Sequence, residues 1–385
     1  MPVLDRITKQ QAMDLFSDGV SCSLPELGGR AGEIANQLHP GNIRTYIIER
    51  NINYTNICQT RCSFCAFSVS PHDKRGFTLD FEQIVSKIEP LMALGGRQIL
   101  LQGGLNPHLP FDWYEQLLRN LKERFGRLHI HGFSPPEIFF FSRQFEMTIP
   151  QVIGKLREAG LDTIPGGGAE ILVDRVRRLI SPTKCSADQW LEVMRQAHLA
   201  GICTTATMMF GHVESMAERI EHLDRIRRLQ DESLDRRSRD RSAGIFTAFT
   251  CWPFQPGGTR LSKFGRYDPL GDQPRLENQL LLGGAFEQLK MTALARIYLD
   301  NIANIQASWV TQGPKIAQLS LLAGCNDIGS LMMEENVVSA AGTTFHLQLE
   351  SLRDLITMAG FKPVERDCYY NPLDDRASLE DSRNI

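Results

Sequence analysis

From about residue 50 onward the chain alternates between two hydrophobic patterns. Longer segments carry apolar residues every three or four positions, and short, nearly continuous apolar runs follow them. "FTLDFEQIVSKIEPLMALGG" reads as an amphipathic helix and "RQILLQGG", which follows it, as a buried strand. The pairing recurs in "PFDWYEQLLRNLKERFG" with "RLHIHGFSP", "IPQVIGKLREAGL" with "DTIPGGGAEIL", "CSADQWLEVMRQAHLAGI" with "CTTATMMFGHVE", and "SMAERIEHLDRIRRLQDE" with "GIFTAFTCWPFQP". Helices alternating with buried strands imply a parallel sheet. Together with the strand "TYIIERNINYTNI" these make six units through residue 256, and "YLDNIANIQASWV" and "IAQLSLLAGCNDIG" supply two more. The predicted fold is therefore α/β, an eightfold (β/α) barrel of the TIM type. A six-unit partial barrel with a helical C-terminal part also satisfies the pattern.

The flanks differ. Residues 5–50 read as mostly helical, with one helix stopped at Gly19 and another at Pro40-Gly41. The expected organisation is an N-terminal helical extension over 1–47, the barrel over 48–345, and a C-terminal helix and tail over 346–385, frayed from 372. Residues 233–243, "SLDRRSRDRSA", read as an exposed charged loop, and 257–275 as a long Gly/Pro/Arg-rich loop near the barrel mouth.

Charge excludes one class of partner. The net charge is -3, and the basic stretch from Arg225 to Arg241 is broken by acidic residues, so a nucleic-acid partner is not expected. No apolar run is long enough for a membrane span, and the N-terminal residues lack the apolar core of a secretion signal, so a cytoplasmic protein is expected. Nine cysteines, an odd number, argue against a disulfide framework and make metal or redox chemistry the first reading of any tight cluster.

Such a cluster exists. Cys58, Cys62 and Cys65 fall in "ICQTRCSFCAF", directly after the first barrel strand. Barrel active sites are built from loops at strand C-termini. Zinc sites ordinarily use four ligands in closer pairs, and no nearby His completes one; His72 is badly spaced. A 4Fe–4S cluster held by three thiolates leaves one iron open for a small molecule. Cys22, Cys185, Cys203, Cys251, Cys325 and Cys368 are scattered and read as packing residues.

The C-x3-C-x2-C spacing, with the aromatic Phe64 before the last cysteine, resembles the radical S-adenosylmethionine (SAM) superfamily. The resemblance continues through "QILLQGG", "IPGGGAEIL", "TATMMFGHVE", "FQP", "ARIYLDNIANIQASWVTQG" and "EENVVSAAG", over roughly residues 45–345. This string is similar to the radical enzymes of the futalosine route to menaquinone and, more distantly, to deazaflavin (FO) synthase proteins. Within that group "TATMMFGHVE", "CWPFQP" and "QASWVTQG" are most similar to the cyclase branch, which acts on dehypoxanthine futalosine. Aminofutalosine synthase is the sister activity, and "PFQP" stands where that enzyme tends to carry an "AFHP"-like segment. The resemblance implies that Cys58, Cys62 and Cys65 hold a 4Fe–4S cluster whose open iron binds SAM. It further implies that a 5′-deoxyadenosyl radical removes the ribose C4′ hydrogen and that the sugar radical closes on the benzoate ring. Reduced flavodoxin or ferredoxin is the implied electron donor.

The remaining candidates sit at strand ends. The resemblance implies that Phe64, Gln102, Gly103 and Gly104 lie against SAM. Glu170, after three glycines in "PGGGAE", is placed to bond its hydroxyls or amino group, with Ser134 in "FSPPE" a weaker candidate and Glu137 a helix cap. His212 and Glu214 in "GHVE" would share a face if the strand continues, and could then move the proton lost when the ring regains aromaticity. Trp252 and Gln255, and Trp309 and Gln312, could pack on the substrate ring and bond its hydroxyls. His129, His198 and His222 read as structural.

Overall fold

The structure, a computed structural model, describes residues 5–17, 23–269, 271 and 273–373. The expected Gly19 helix stop, Cys22 and the tail from 374 lie outside them.

Two helices, α1 (Lys9–Ser17) and α2 (Leu24–Leu38), precede the first strand, which bends at Ile48 into β1 (Ile43–Ile47) and β2 (Glu49–Asn53). The barrel's first strand thus begins within the segment expected to be a helical extension. There follow α3 (Phe81–Ala93), β3 (Gln98–Gln102), α4 (Phe111–Arg124), β4 (His129–Gly132), α5 (Pro135–Gln144), α6 (Ile149–Ala159), α7 (Asp174–Ile180) and α8 (Ala187–Leu199). The second half comprises β5 (Thr204–Phe210), α9 (Met216–Arg239), β6 (Phe246–Pro253), α10 (Ala285–Tyr298), β7 (Asn304–Gln306), α11 (Trp309–Gln312), α12 (Pro314–Leu322), β8 (Asp327–Ser330), α13 (Leu349–Met358) and β9 (Lys362–Glu365).

The ring closes through parallel pairings alone. β2 pairs with β3 and β3 with β4. The fourth position has shrunk to residues 163–164, held by bridges His131↔Thr163 and Ile164↔Thr204. β5, β6, β7 and β8 pair in sequence, and β8 pairs with β1. This is the eightfold barrel read from the sequence. A further strand, β9, adds in parallel to β1, and the residues after it turn under the barrel.

Local sequence explains why the helices begin where they do. Ser23/Glu26, Asp80/Gln83, Thr148/Gln151, Ser186/Gln189 and Ser215/Glu218 each form a reciprocal capping box, satisfying two orphan N–H groups per helix, and at Ser134 the Glu137 carboxylate accepts from the cap N–H. Strand alternation sorts the rest. In β3, Ile99 and Leu101 are fully buried in the hydrophobic core, whereas Gln98, Leu100 and Gln102 line a central cavity. β2 turns Glu49 and Asn51 to the same cavity, and β5 turns Thr205, Thr207 and Met209. The interior is thus open and lined by polar side chains among apolar ones, unlike the side-chain-filled centre usual for this architecture.

One sequence expectation is corrected here. Residues 233–239 are not a loop: α9 runs to Arg239, Ser233 is fully buried, and its hydroxyl donates to Leu229 O at 2.8 Å. Basic residues of α9 lie on helical faces where acids meet them, as in Arg225–Asp188 at 2.7 Å and Arg228–Asp224 at 2.7 Å. Among the described residues no helix is long and apolar enough to cross a membrane.

Candidate active site

The loop joining β2 to α3 carries the three cysteines and is pinned on several sides. Cys58 N donates to Val69 O at 2.9 Å, Gln59 N to Leu105 O at 3.0 Å, and Ser63 N to Ile180 O at 2.8 Å. Thr60 lies between the first two thiols, its Oγ1 3.0 Å from Cys58 Sγ and 3.8 Å from Cys62 Sγ, while Ser68 N donates to Cys65 Sγ at 3.4 Å. Burial pushes the Cys62 thiol up to about 11, so whatever binds it must displace a proton. Among the described residues no three Cys, His, Asp or Glu side chains converge on one ion. A zinc would need that convergence, whereas a 4Fe–4S cluster takes one thiolate per iron on separate corners. The donor set, three cysteines on one pinned loop, fits the cluster.

The end of β3 presses against this loop. A Cβ at Gly104 would meet Ile57 O at 2.2 Å and Cys58 Cβ at 3.0 Å, so only glycine permits this approach. Gly103 N donates to Glu137 Oε1 at 3.0 Å. Neither glycine faces the cavity; they position the cysteine loop instead. Gln102, one residue earlier, does line the cavity.

Opposite lies the glycine loop, where Gly166, Gly167 and Gly168 face the cavity and Gly168 adopts φ +76°. Glu170 follows with φ +43° and is buried, 7% exposed. Its Oε1 accepts from Lys184 Nζ at 3.0 Å, and its Oε2 lies 3.5 Å from Arg177 Nη1 without a hydrogen-bond partner. Burial alone would lower the Lys184 ammonium, but Glu170 and Cys62 outweigh it and hold it above its ordinary range. The same ammonium lies 5.4 Å from the Phe64 ring centroid. A buried carboxylate oxygen lacking a donor, beside backbone-lined space and a thiol loop, is a fitting seat for the hydroxyls or ammonium of SAM.

One cavity of about 400 Å³ unites these parts and continues along the barrel axis. Phe64, Cys65, Gln102, Glu170, Trp252, Gln255 and Trp309 all line it. Trp309 has its indole N–H committed to Ser330 O at 2.9 Å. Gln255 is held by bonds to Pro253 O and Thr343 Oγ1 at 3.0 and 3.4 Å. Cys58 and Cys62 sit behind the lining in the same loop. Ser134 lies outside it and caps α5: its N–H and hydroxyl donate to Glu137 Oε2 at 2.8 and 2.6 Å. Gln312 turns back on Thr311 O at 3.2 Å and does not line the cavity.

The expected face-sharing of His212 and Glu214 is not observed. β5 ends at Phe210, Gly211 turns the chain with φ +83°, and both side chains are buried away from the cavity. Glu214 accepts from Gly211 N at 2.6 Å, His212 N at 2.9 Å and Arg219 Nε at 2.7 Å. Burial alone would raise the Glu214 carboxyl, but His212 and Arg219 outweigh it and hold it well below the usual range. The pair therefore fixes the turn between β5 and α9.

Sequence reasoning missed the cavity's lower half. Arg366, Cys368 and Tyr370 reach it from the segment after β9. Arg366 Nε donates to Asp327 Oδ2 at 2.6 Å, and Tyr370 Oη to Gln306 Oε1 at 2.9 Å. Glu49, bonded to Gln98, and His131 complete this end. The only signal was local: six successive polar or reactive residues, "ERDCYY", next to an end read as fraying.

Comparison with known proteins agrees with this geometry. Residues 52–226 match the model of the radical SAM superfamily, and 243–379 match that of the CofH/MqnC C-terminal region. The cyclic dehypoxanthine futalosine synthase of Halalkalibacterium halodurans is 42% identical over 366 residues, 95% of this chain and 91% of the relative. A 5-amino-6-(D-ribitylamino)uracil–L-tyrosine 4-hydroxyphenyl transferase of Methanosarcina barkeri is 38% identical over 349 residues, 90% of this chain and 86% of the relative. Crystallographic methylornithine synthase superposes with a TM-score of 0.67 at 20% identity, covering 98% of this chain and 97% of that one, and so shares the fold. The chain belongs to the radical SAM superfamily, in the branch that carries the CofH/MqnC C-terminal region, and works with a 4Fe–4S cluster and SAM.

Proposed function

We propose that this enzyme converts dehypoxanthine futalosine to its cyclic form, a step of menaquinone formation. The observation that carries the proposal is identity of 42% and 40% to two cyclic dehypoxanthine futalosine synthases across 95% and 97% of the chain. The cavity supports it. Trp252, Phe249, Phe254 and Met209 offer apolar surface for an aromatic ring, beside Thr207, Thr250 and Gln255 for sugar hydroxyls.

In this reading Cys58, Cys62 and Cys65 would hold the cluster. The cluster and SAM, when bound and given an electron from a flavodoxin- or ferredoxin-type donor, would supply a 5′-deoxyadenosyl radical able to take the ribose C4′ hydrogen. Phe64 and the glycine loop position the nucleoside, and Glu170 takes its hydroxyls or ammonium. Trp252 and Gln255 hold the tethered ring close to the sugar, so that closure needs little further ordering.

The test is anaerobic turnover of reconstituted enzyme with SAM, dithionite and dehypoxanthine futalosine, followed by mass spectrometry. The expected outcome is 5′-deoxyadenosine together with a product two hydrogens lighter than the substrate, both abolished by Cys62→Ala. The relatives at 38% identity favour a second reading, so a parallel reaction contains 5-amino-6-(D-ribitylamino)uracil and tyrosine. A coupled product there, or with an enolpyruvyl benzoate, and none from dehypoxanthine futalosine, would replace the cyclase reading.

A further inference from the structure

Ring closure on an arene leaves one proton and one electron to be removed. The barrel interior contains a chain of groups suited to the proton. His131 lines the cavity from β4, and its Nδ1 lies 2.7 Å from Thr163 Oγ1. His129, two residues earlier on the same strand, has its Nε2 2.7 Å from the same oxygen. His129 is not in the cavity lining. It is partly buried toward the barrel floor, edge-on to the half-exposed Tyr369 ring at 5.4 Å.

A hydroxyl that donates to one imidazole and accepts from the other does so in one of two arrangements. In one, Thr163 donates to His129 Nε2 and accepts from His131 Nδ1, which leaves His131 Nε2 unprotonated. In the other, Thr163 donates to His131 Nδ1 and accepts from His129 Nε2, so His131 carries its proton on Nε2. A proton arriving at His131 Nε2 converts the first arrangement into the second and releases a proton from His129 Nδ1. Turning the hydroxyl and the rings resets the chain. Burial lowers His131 to about 3 and His129 to about 4, so both rings are neutral at physiological pH. A weak base suffices, because the ring-closed arene that has lost its electron is strongly acidic.

We propose that His131 accepts the ring proton and that Thr163 and His129 carry it from the cavity to the barrel floor. The inference rests on the cyclase reading. The breaking bond is C–H at the attacked ring carbon: its proton goes to His131 Nε2, its electron pair restores the aromatic sextet, and the odd electron passes to a one-electron acceptor of the iron–sulfur class. The two hydrogens lost from the substrate are then this proton and the C4′ hydrogen.

Product formed per 5′-deoxyadenosine is the discriminating ratio, because hydrogen abstraction precedes proton loss. His131→Asn should lower it about tenfold or more while deoxyadenosine still forms. Thr163→Val should lower it in the same direction, and Thr163→Ser, which keeps the hydroxyl, should restore it. An independent readout uses ¹⁵N-histidine-labelled holoenzyme with its cluster oxidised. Long-range ¹H–¹⁵N spectra should find both rings neutral, and Thr163→Val should shift the ring nitrogens of both. An unchanged ratio in His131→Asn, or rings indifferent to Thr163→Val, overturns the relay while leaving the cyclase intact. A wild-type enzyme that makes deoxyadenosine but no cyclised product overturns the cyclase reading, and the proton-acceptor role with it.

Discussion

Glu170 occupies a left-handed backbone position between two buried cations, Lys184 and Arg177, with one oxygen lacking a donor. An uncompensated buried charge costs about 3–5 kcal/mol when its partner is removed. Glu170→Gln should therefore destabilise the folded protein by about that amount in urea. It should also weaken SAM binding by about tenfold or more if the free oxygen holds the ligand, a loss the size of one charge-assisted bond. Calorimetry on cluster-loaded protein separates the two: unchanged affinity with lowered stability would reduce Glu170 to a counter-ion. At this scale the sequence was legible where chemistry is local. Three cysteines in one loop announce themselves by spacing, and "PGGGAE" by its glycines. Lys184, Thr163 and Arg366 were not legible, because each matters through a partner on another strand or helix, and only the closed barrel sets that register.

The start of α5 shows how one side chain ties several elements together. Glu137 accepts from Tyr54 Oη at 2.7 Å and Gly103 N at 3.0 Å through one oxygen, and from Ser134 through the other. It thereby joins the end of the first barrel strand, the end of β3 and the helix cap, directly behind the cysteine loop. Replacing either oxygen by an amide NH₂ sets donor against donor. Glu137→Gln should cost about 2–4 kcal/mol in urea unfolding, and Tyr54→Phe about 1 kcal/mol. The double variant should cost less than the sum, since removing Tyr54 relieves part of the clash. The cap itself was readable in "SPPE"; its reach to Tyr54 was not. Helix–strand alternation was legible because apolar period tracks burial. It failed at 233–239, where Asp and Arg residues on the outer helical turns hide the buried Ser233 and imitate a solvated loop.

Across the whole molecule, buried histidines give stability a pH sign. Burial lowers His39 and His129 to about 4, and His131, His198 and His222 to about 3, below the ordinary 6.5. Groups with a depressed folded value are neutral in the fold and take up protons when it opens. The stability they contribute is present above 6.5 and is lost as pH falls below it. Glu49, Glu137 and Glu365 are raised by burial and act in the opposite sense. Asp300 is raised in the same way, and four carboxyls can offset at most four of the five histidines, each of which costs about 1.4 kcal/mol per pH unit below 6.5, so a net loss of stability remains. The urea midpoint should accordingly fall between pH 7 and pH 5.

The floor of the barrel has a consequence for synthesis. β9 pairs with β1, and Arg366 and Tyr370, just beyond β9, complete a cavity whose wall on the cysteine-loop side includes Phe64 and Cys65. A nascent chain cannot finish that chamber until Tyr370 has left the ribosome, and the pairing of β1 with β9, more than 300 residues apart, is a slow, long-range closure. Until then a thiol loop capable of taking up iron stands over an open-ended tube that water can enter from below. Cluster loading after release, rather than during translation, would keep such a half-built chamber from ever generating a radical.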